Sequence, residues 1–104
     1  MKFSTVFLSV ASLAGLALAA DNRLLFQVPD GDTTETFQSK FVDTCTNWPD
    51  AASLTLQTVT YQPGDFSGKN ADTQVKLICS YHDDENNTIQ FTKPVATSLG
   101  ATQL

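Results

Sequence analysis

Two cysteines, Cys45 and Cys79, carry the clearest chemistry in this sequence. In a secreted protein an even number of cysteines is typical of disulfides, and one pair permits one intramolecular bond. That bond would close a loop of about 35 residues, for which chain entropy predicts about 4 kcal/mol of stabilisation. The sequence therefore predicts a Cys45–Cys79 disulfide; a free pair and an intermolecular bridge are the alternatives.

The residue types and their spacing do not indicate an enzyme active site. His82 is the one histidine and lies beside Asp83 and Asp84, whereas a Ser-His-Asp relay requires a buried, oriented imidazole. A cysteine nucleophile requires a free thiolate, and the motifs of zinc proteases and phosphate-binding loops are missing. Every carboxylate lies in or beside an expected turn, which favours a role in solubility over a glycosidase pair. We therefore expect no enzyme, no catalytic residue and no cofactor.

The polar stretch around residues 82–88 offers two other kinds of site. Asp83-Asp84-Glu85 supplies oxygen atoms that suit calcium, but it lacks the alternation of an EF-hand loop. We therefore expect a solvated hairpin tip and no metal site. Asn86-Asn87-Thr88 matches the N-glycosylation signal, which predicts a glycan at Asn86 if the chain is secreted; an ordinary turn is the alternative.

The first twenty residues have the composition of a secretory signal peptide. A basic start is followed by an apolar stretch, 6–18, and by the small residues Ala17, Ala19 and Ala20. The apolar stretch is shorter than the ~20 residues that span a bilayer, so we expect no membrane anchor. The sequence predicts a signal peptide over 1–20, a secreted, extracellular protein and one small domain over 21–104.

The charge balance excludes two classes of partner. Eleven acidic residues oppose six Lys and Arg residues, and loss of Lys2 with the signal peptide lowers the net charge from −5 to −6. Nucleic acids and anionic membrane surfaces attract proteins with a basic stripe, and none is present. We expect the protein to bind neither nucleic acids nor anionic membrane surfaces. We also expect it to be a monomer.

Hydrophobic alternation predicts a series of short strands. Val75, Leu77, Cys79 and Tyr81 share one face of the clearest strand, and its other face includes Ile78, as in a central strand. In the run 53–61 the apolar positions change phase, which predicts a β-bulge or a switch between sheets. Residues 95–104 show no period and are expected to fray. The remaining predicted strands are 24–28 and 88–93.

Residues 33–45 support two interpretations. Phe37 and Phe41 lie four apart, as on one helix face, and Asp32 with Glu35 resembles a capping box. The segment also alternates and is rich in Thr and Phe, which favour strands. We favour a strand and therefore predict an all-β fold, a small antiparallel β-sandwich or open barrel with one disulfide.

A more extended pattern runs from Phe41 to Leu77. Cys45 is followed by Leu54-x-Leu56-x-x-Val59-x-Tyr61-x-Pro63, then by Gly68-Lys69 and Val75-x-Leu77. This resembles the fungal ML-type lipid-recognition proteins, which are similar to phosphatidylglycerol/phosphatidylinositol transfer proteins. The resemblance implies a lipid or another apolar ligand held between two sheets; ordinary core packing is the alternative. The implied pocket residues are Leu54, Leu56, Val59, Val75, Leu77, Ile89 and Phe91.

The chain also resembles small secreted fungal effectors in its size, its cysteine count and its signal peptide. That resemblance implies binding to a host or cell-surface protein through an exposed patch. Trp48 and Phe66 are the candidate interaction residues, because each is an aromatic residue in a predicted turn. The alternative is that each ring folds back onto the core.

Overall fold

The computed structural model describes residues 22–104; the predicted signal peptide lies outside this range. The described chain forms one antiparallel sheet with two α-helices and a short 3₁₀ turn. None of the helices within residues 22–104 has the length and hydrophobicity needed to cross a membrane. In chain order the elements are β1 (Leu24–Gln27), α1 (Thr34–Thr46), the 3₁₀ turn (Pro49–Ala51), β2 (Thr55–Pro63), β3 (Gln74–His82), β4 (Thr88–Gln90), α2 (Thr92–Ser98) and β5 (Thr102–Gln103).

The sheet has the order β2-β3-β1-β5, and β4 pairs with β3 as well. β3 is the central strand, as predicted, and its apolar face is fully buried. The register of β2 against β3 shifts between Leu56 and Thr58, which confirms the bulge predicted from the change of phase. The predicted strands at 24–28 and 88–93 are also present, although the second ends at Gln90.

Both helices pack on one face of the sheet, so the all-β prediction was wrong. Residues 34–46 form α1, with Phe37, Phe41 and Cys45 buried along one side. A strand would have placed Ser39 and Asp43 on the same face as those three side chains, whereas the helical period separates them. Burial of this apolar face outweighs the strand preference of Thr and Phe. A helical layer therefore lies where a sandwich would have its second sheet.

The cap of α1 differs by one residue from the expected capping box. Thr33 is the N-cap, and its hydroxyl accepts from the Thr36 N–H while the Thr36 hydroxyl accepts from the Thr33 N–H. Asp32 accepts hydrogen bonds from the Thr36 hydroxyl and from Lys40 Nζ at 2.8 Å. The bond from Thr36 satisfies one of the free N–H groups in the first turn of α1, and the reciprocal pair fixes where the helix begins.

In place of the expected frayed tail, the C-terminal segment is ordered into α2 and β5. Val95 and Ala96 are completely buried, and the Leu104 N–H donates to the Leu25 carbonyl at 2.9 Å. Pro94 lies in the first turn of α2, where a missing N–H costs nothing. The segment is too short to reveal a helical period, so its order comes from packing against α1 and the sheet.

The predicted Cys45–Cys79 disulfide is confirmed, with an S–S distance of 2.08 Å. It joins α1 to the central strand, and both cysteines are inaccessible to solvent. The Tyr81 hydroxyl donates to the Cys45 carbonyl beside it. The C-terminal end of α1 is therefore held to the sheet by a covalent bond and a buried hydrogen bond.

Candidate functional site

β2 lies at one border of the sheet: β3 pairs with one of its edges, and no strand among residues 22–104 pairs with the other. The Gly64 N–H donates to the Gln74 carbonyl at 2.7 Å, so the backbone groups of Gly64 face β3. In an antiparallel ladder every second residue turns its N–H and C=O toward the partner, and the residues between turn theirs away. Counting back along the regular register, the residues that turn away from β3 are Val59, Tyr61 and Pro63.

We call the outward N–H and C=O groups of Val59 and Tyr61 the free edge of β2. Pro63, the next outward residue, has no N–H to donate, which is usual for proline in an edge strand. The bulge between Leu56 and Thr58 limits the regular ladder at the other end. The free edge is therefore a short extended template with backbone donors and acceptors available to another chain.

α1 lies over β2 and holds it in place. The Tyr61 hydroxyl donates to the Thr34 carbonyl at 2.7 Å, and the Tyr61 ring lies 6.0 Å from Phe37 and 6.2 Å from Phe41 between ring centres. Burial, followed by the negative charge of Glu35, raises the pKa of Tyr61 to about 12. The strand that carries the free edge is thus fixed by aromatic packing before any partner arrives, and such preorganisation favours binding.

An apolar groove of about 370 Å³ lies at the N-terminal end of β2. The 3₁₀ turn and the end of α1 form one wall, and the first residues of β2 form the other. Leu56 is opposite Tyr81, so both side chains lie on the helical face of the sheet, and Leu56 is 41% exposed. We call this feature the end groove; its lining residues are Thr46, Asn47, Trp48, Pro49, Ala51, Ala52, Leu54, Leu56 and Tyr81.

Trp48 has an unsatisfied polar group. Its ring packs against the core, and its indole Nε1–H is buried without an acceptor among residues 22–104. A buried donor left without a partner costs about 1–3 kcal/mol.

The residues predicted to line a lipid pocket do not share one site. Leu54 and Leu56 line the end groove, whereas Val75 and Leu77 are completely buried in the core. Val59 is partly buried and packs against the same core. Ile89 and Phe91 lie at the other edge of β3. Ile89 pairs with Tyr81, and the Phe91 ring lies 5.7 Å from the Tyr81 ring between ring centres.

The two predicted interaction residues lie at opposite ends of β2. Trp48 lines the end groove, while Phe66 lies in the turn after Pro63 and is 55% exposed. The Arg23 guanidinium lies 5.4 Å from the centre of the Phe66 ring, a cation–π contact that gives this ring a local structural role. Phe66 does not line the end groove, which makes it a comparison residue for tests of that groove.

The turn after β2 is fixed by two groups that sequence reasoning did not single out. Lys76 is 6% exposed and donates to the carbonyls of Gly64 and Asp65, at 2.7 and 2.8 Å. The Asp65 carboxylate accepts from Ser67, Lys69 and Asn70, and these bonds hold its pKa far below the usual carboxyl range. Because the unfolded chain protonates first, this stabilisation is present at neutral pH and is lost as the pH falls below about 4.

The acidic tip at 83–85 is organised by its own turn. The Asp83 carboxylate accepts from the N–H groups of Glu85 and Asn87 and from the Asn87 amide, which lowers the pKa of Asp83. Within the described range, no three His, Cys, Asp or Glu side chains are grouped so that they could hold a metal ion. His82 is partly buried, and its Nδ1 lies 3.0 Å from the Asp83 carbonyl.

The face of the sheet opposite the helices carries a second groove, of about 440 Å³. Ile78 is its one apolar lining residue, and the others are neutral amides and hydroxyls: Asn22, Gln57, Thr58, Ser80, Thr88 and Gln90. This composition offers hydrogen bonds but little apolar surface. It differs from the mainly apolar lining of typical small-molecule pockets.

Comparison of the chain with protein-family models, with curated proteins and with solved structures gives no match. The resemblance to ML-type proteins therefore stays a hypothesis that rests on the sequence pattern over residues 41–77. Any assignment of function rests on the free edge and the end groove.

Proposed function

We propose that this chain is a secreted, non-enzymatic binding protein that holds an extended, basic segment of a partner protein along the free edge of β2. The observation that carries the proposal is the continuity of two features. An uncharged strand with outward backbone groups leads directly into an apolar groove at its N-terminal end. Strand addition of this kind uses backbone hydrogen bonds for affinity and side-chain pockets for specificity.

The composition of β2 supports this use of its edge. Proteins usually protect an edge strand from pairing with Lys or other charged residues. The nine residues of β2, Thr55–Pro63, include no charged side chain. The bulge and Pro63 shorten the available template without removing it, so a partner segment of a few residues could pair with the backbone groups of Val59 and Tyr61.

The end groove supplies an anchor for the same segment. An apolar side chain of the partner would cover Leu56 and contact Leu54 and Tyr81. Hot spots of protein interfaces combine such apolar anchoring with removal of water around a tryptophan.

The charge around both features favours a basic partner. Residues 41–68, which include β2 and every residue of the end groove except Tyr81, contain Asp43, Asp50 and Asp65 and no Lys or Arg. Arg23 donates to Gln62 Oε1 at 2.7 Å, near the end of β2 that is remote from the end groove. The acidic tip at 83–85 follows the strand that carries Tyr81. Opposite charges raise the association rate and reject acidic competitors, and this effect weakens at high salt.

The proposal can be tested with a synthetic peptide in which Lys and Val alternate. Trp48 is the only tryptophan in the chain, so intrinsic fluorescence reports directly on the end groove. We expect saturable binding that weakens at least tenfold when Glu replaces Lys in the peptide. A peptide of the same sequence with a methylated backbone keeps the charge but cannot form strand hydrogen bonds. Equal binding of all three peptides would contradict strand addition.

We expect Leu56→Lys to weaken binding of the Lys–Val peptide at least tenfold. The substitution adds a positive charge to the end groove and removes an exposed apolar contact. Phe66→Lys adds the same charge beyond Pro63, and the seven steps from Leu56 to Pro63 span about 23 Å. This control should change the affinity less than threefold. Equal losses in both variants, or no loss in either, would contradict binding at the end groove.

An apolar small ligand is the second candidate, and the lining of the end groove favours it. Trp48, Leu54 and Leu56 offer apolar surface, and a volume of about 370 Å³ lies within the range of ligand pockets. Such a ligand would bind beside the sheet and not between two sheets. Native mass spectrometry of protein from a secreting host tests this candidate: a co-purified lipid that Leu56→Lys removes supports it, and an unliganded mass counts against it.

A further inference from the structure

We infer that Asn86 is an N-glycosylation site of the secreted chain. This inference goes beyond partner binding, although it rests on the secretion that the proposed function includes. Of the five asparagines, only Asn86 is followed two residues later by Ser or Thr, here Thr88, with no proline between them. The signal is short and common, and the geometry of the β3–β4 turn supports its use here.

The Asn86 side chain is presented to solvent. Asn86 is exposed, and its backbone has φ 63°, a left-handed conformation that asparagine tolerates. Its N–H donates to the Asp83 carbonyl at 3.1 Å. Its side-chain amide has no hydrogen-bond partner among the described residues, whereas the neighbouring Asn87 amide donates to Asp83 Oδ2 at 3.1 Å. Of the two adjacent side-chain amides, that of Asn86, the acceptor residue of the signal, is therefore the one left available for glycosylation.

In the folded hairpin, the third residue of the signal, Thr88, already has interaction partners. The Thr88 hydroxyl donates to Gln57 Oε1 at 2.9 Å, across the face of the sheet. Thr88 also pairs with His82 in the β3–β4 ladder. Because a transferase must reach this threonine, we expect the glycan to be added before β4 pairs with β3.

The reaction needs a lipid-linked oligosaccharide diphosphate as its donor. The Asn86 Nδ2 forms a bond to the anomeric carbon of the sugar, and the bond from that carbon to the diphosphate oxygen breaks. One amide proton is lost and the lipid diphosphate leaves. β4 pairs with the edge of β3 that faces away from β2, so a glycan on this turn would leave the free edge of β2 open.

The test compares variants secreted from a eukaryotic host, with and without treatment by an amidase that removes N-linked glycans. We expect the wild-type chain to carry one glycan that the amidase removes, and Asn86→Gln and Thr88→Ala to carry none. Asn87→Gln is the matched control. It preserves the signal but alters the Asp83 contact, so it should remain glycosylated.

The outcomes separate this inference from the proposed function. A secreted wild-type chain with its bare polypeptide mass would overturn the inference and leave partner binding intact. A glycan that persists in Asn86→Gln would overturn it as well. A chain that the host retains in its cytoplasm would overturn both, because glycosylation and extracellular binding each require export.

Discussion

Replacing both cysteines by alanine is expected to lower the free energy of unfolding by about 4 kcal/mol. The disulfide joins residues 34 apart in sequence, and the chain-entropy model gives this value for a loop of that length. A domain of this size has a total stability of roughly 4–12 kcal/mol. The bond therefore supplies between about a third and all of this stability, and the double variant should unfold at a clearly lower urea concentration.

Urea denaturation followed by circular dichroism measures the effect. Wild-type protein treated with a reductant is the control, because it loses the covalent bond while both side chains keep their volume. The reduced protein and the double variant should have similar midpoints, well below that of the oxidised protein. A difference of less than about 1 kcal/mol between oxidised and reduced protein would contradict a structural role for the Cys45–Cys79 bond.

Phe41→Ala is expected to destabilise the domain by about 3–5 kcal/mol. Phe41 is completely buried, and its ring packs against Phe37 at 6.3 Å and against Tyr61 at 6.2 Å between ring centres. The truncation removes apolar burial and leaves a cavity between α1 and β2. Since α1 also holds the strand that carries the free edge, partner binding should weaken in the same variant.

Gln38→Ala is the matched control for this change. Gln38 lies on the exposed side of α1, where a substitution by alanine should change stability by no more than about 0.5 kcal/mol. Both variants can be compared by their urea midpoints. Similar midpoints for Phe41→Ala and Gln38→Ala would contradict the packing of α1 against the sheet.

The strands could be predicted because alternation is a local signal. Val75, Leu77 and Cys79 share a buried face, and their even-numbered neighbours occupy the other. The bulge in β2 could be predicted for the same reason, because an extra residue shifts the apolar phase. The disulfide needed only a count of cysteines and the expectation of export.

The helical layer could not be predicted with the same ease. Residues 33–45 carry a strand-like alternation and a helix-like spacing at once, and the outcome depends on what the segment packs against. α2 is shorter still: Val95 and Ala96 are buried because the segment packs against α1 and the sheet, and the tail beyond them pairs with β1. The long-range contacts that decided both cases are not encoded in any short window.

The candidate site was only partly visible in the sequence. Trp48, Leu54 and Leu56 were each predicted as candidates, but nothing in the sequence indicated that they share one groove. The free edge was missed, although two signals could have revealed it. An uncharged strand that ends in Pro63 is typical of an edge position, because proline cannot donate to a neighbouring strand.

Amide hydrogen exchange of β2 measures whether the outward edge of this strand is open to a partner chain. In the free protein the amides of Val59 and Tyr61 should exchange faster than those of Thr60 and Gln62, which face β3. Saturation with the Lys–Val peptide should slow Val59 and Tyr61 at least tenfold and leave Thr60 and Gln62 nearly unchanged. Equal protection of all four amides before the peptide is added, or no change at Val59 and Tyr61 afterwards, would contradict strand addition at the free edge of β2.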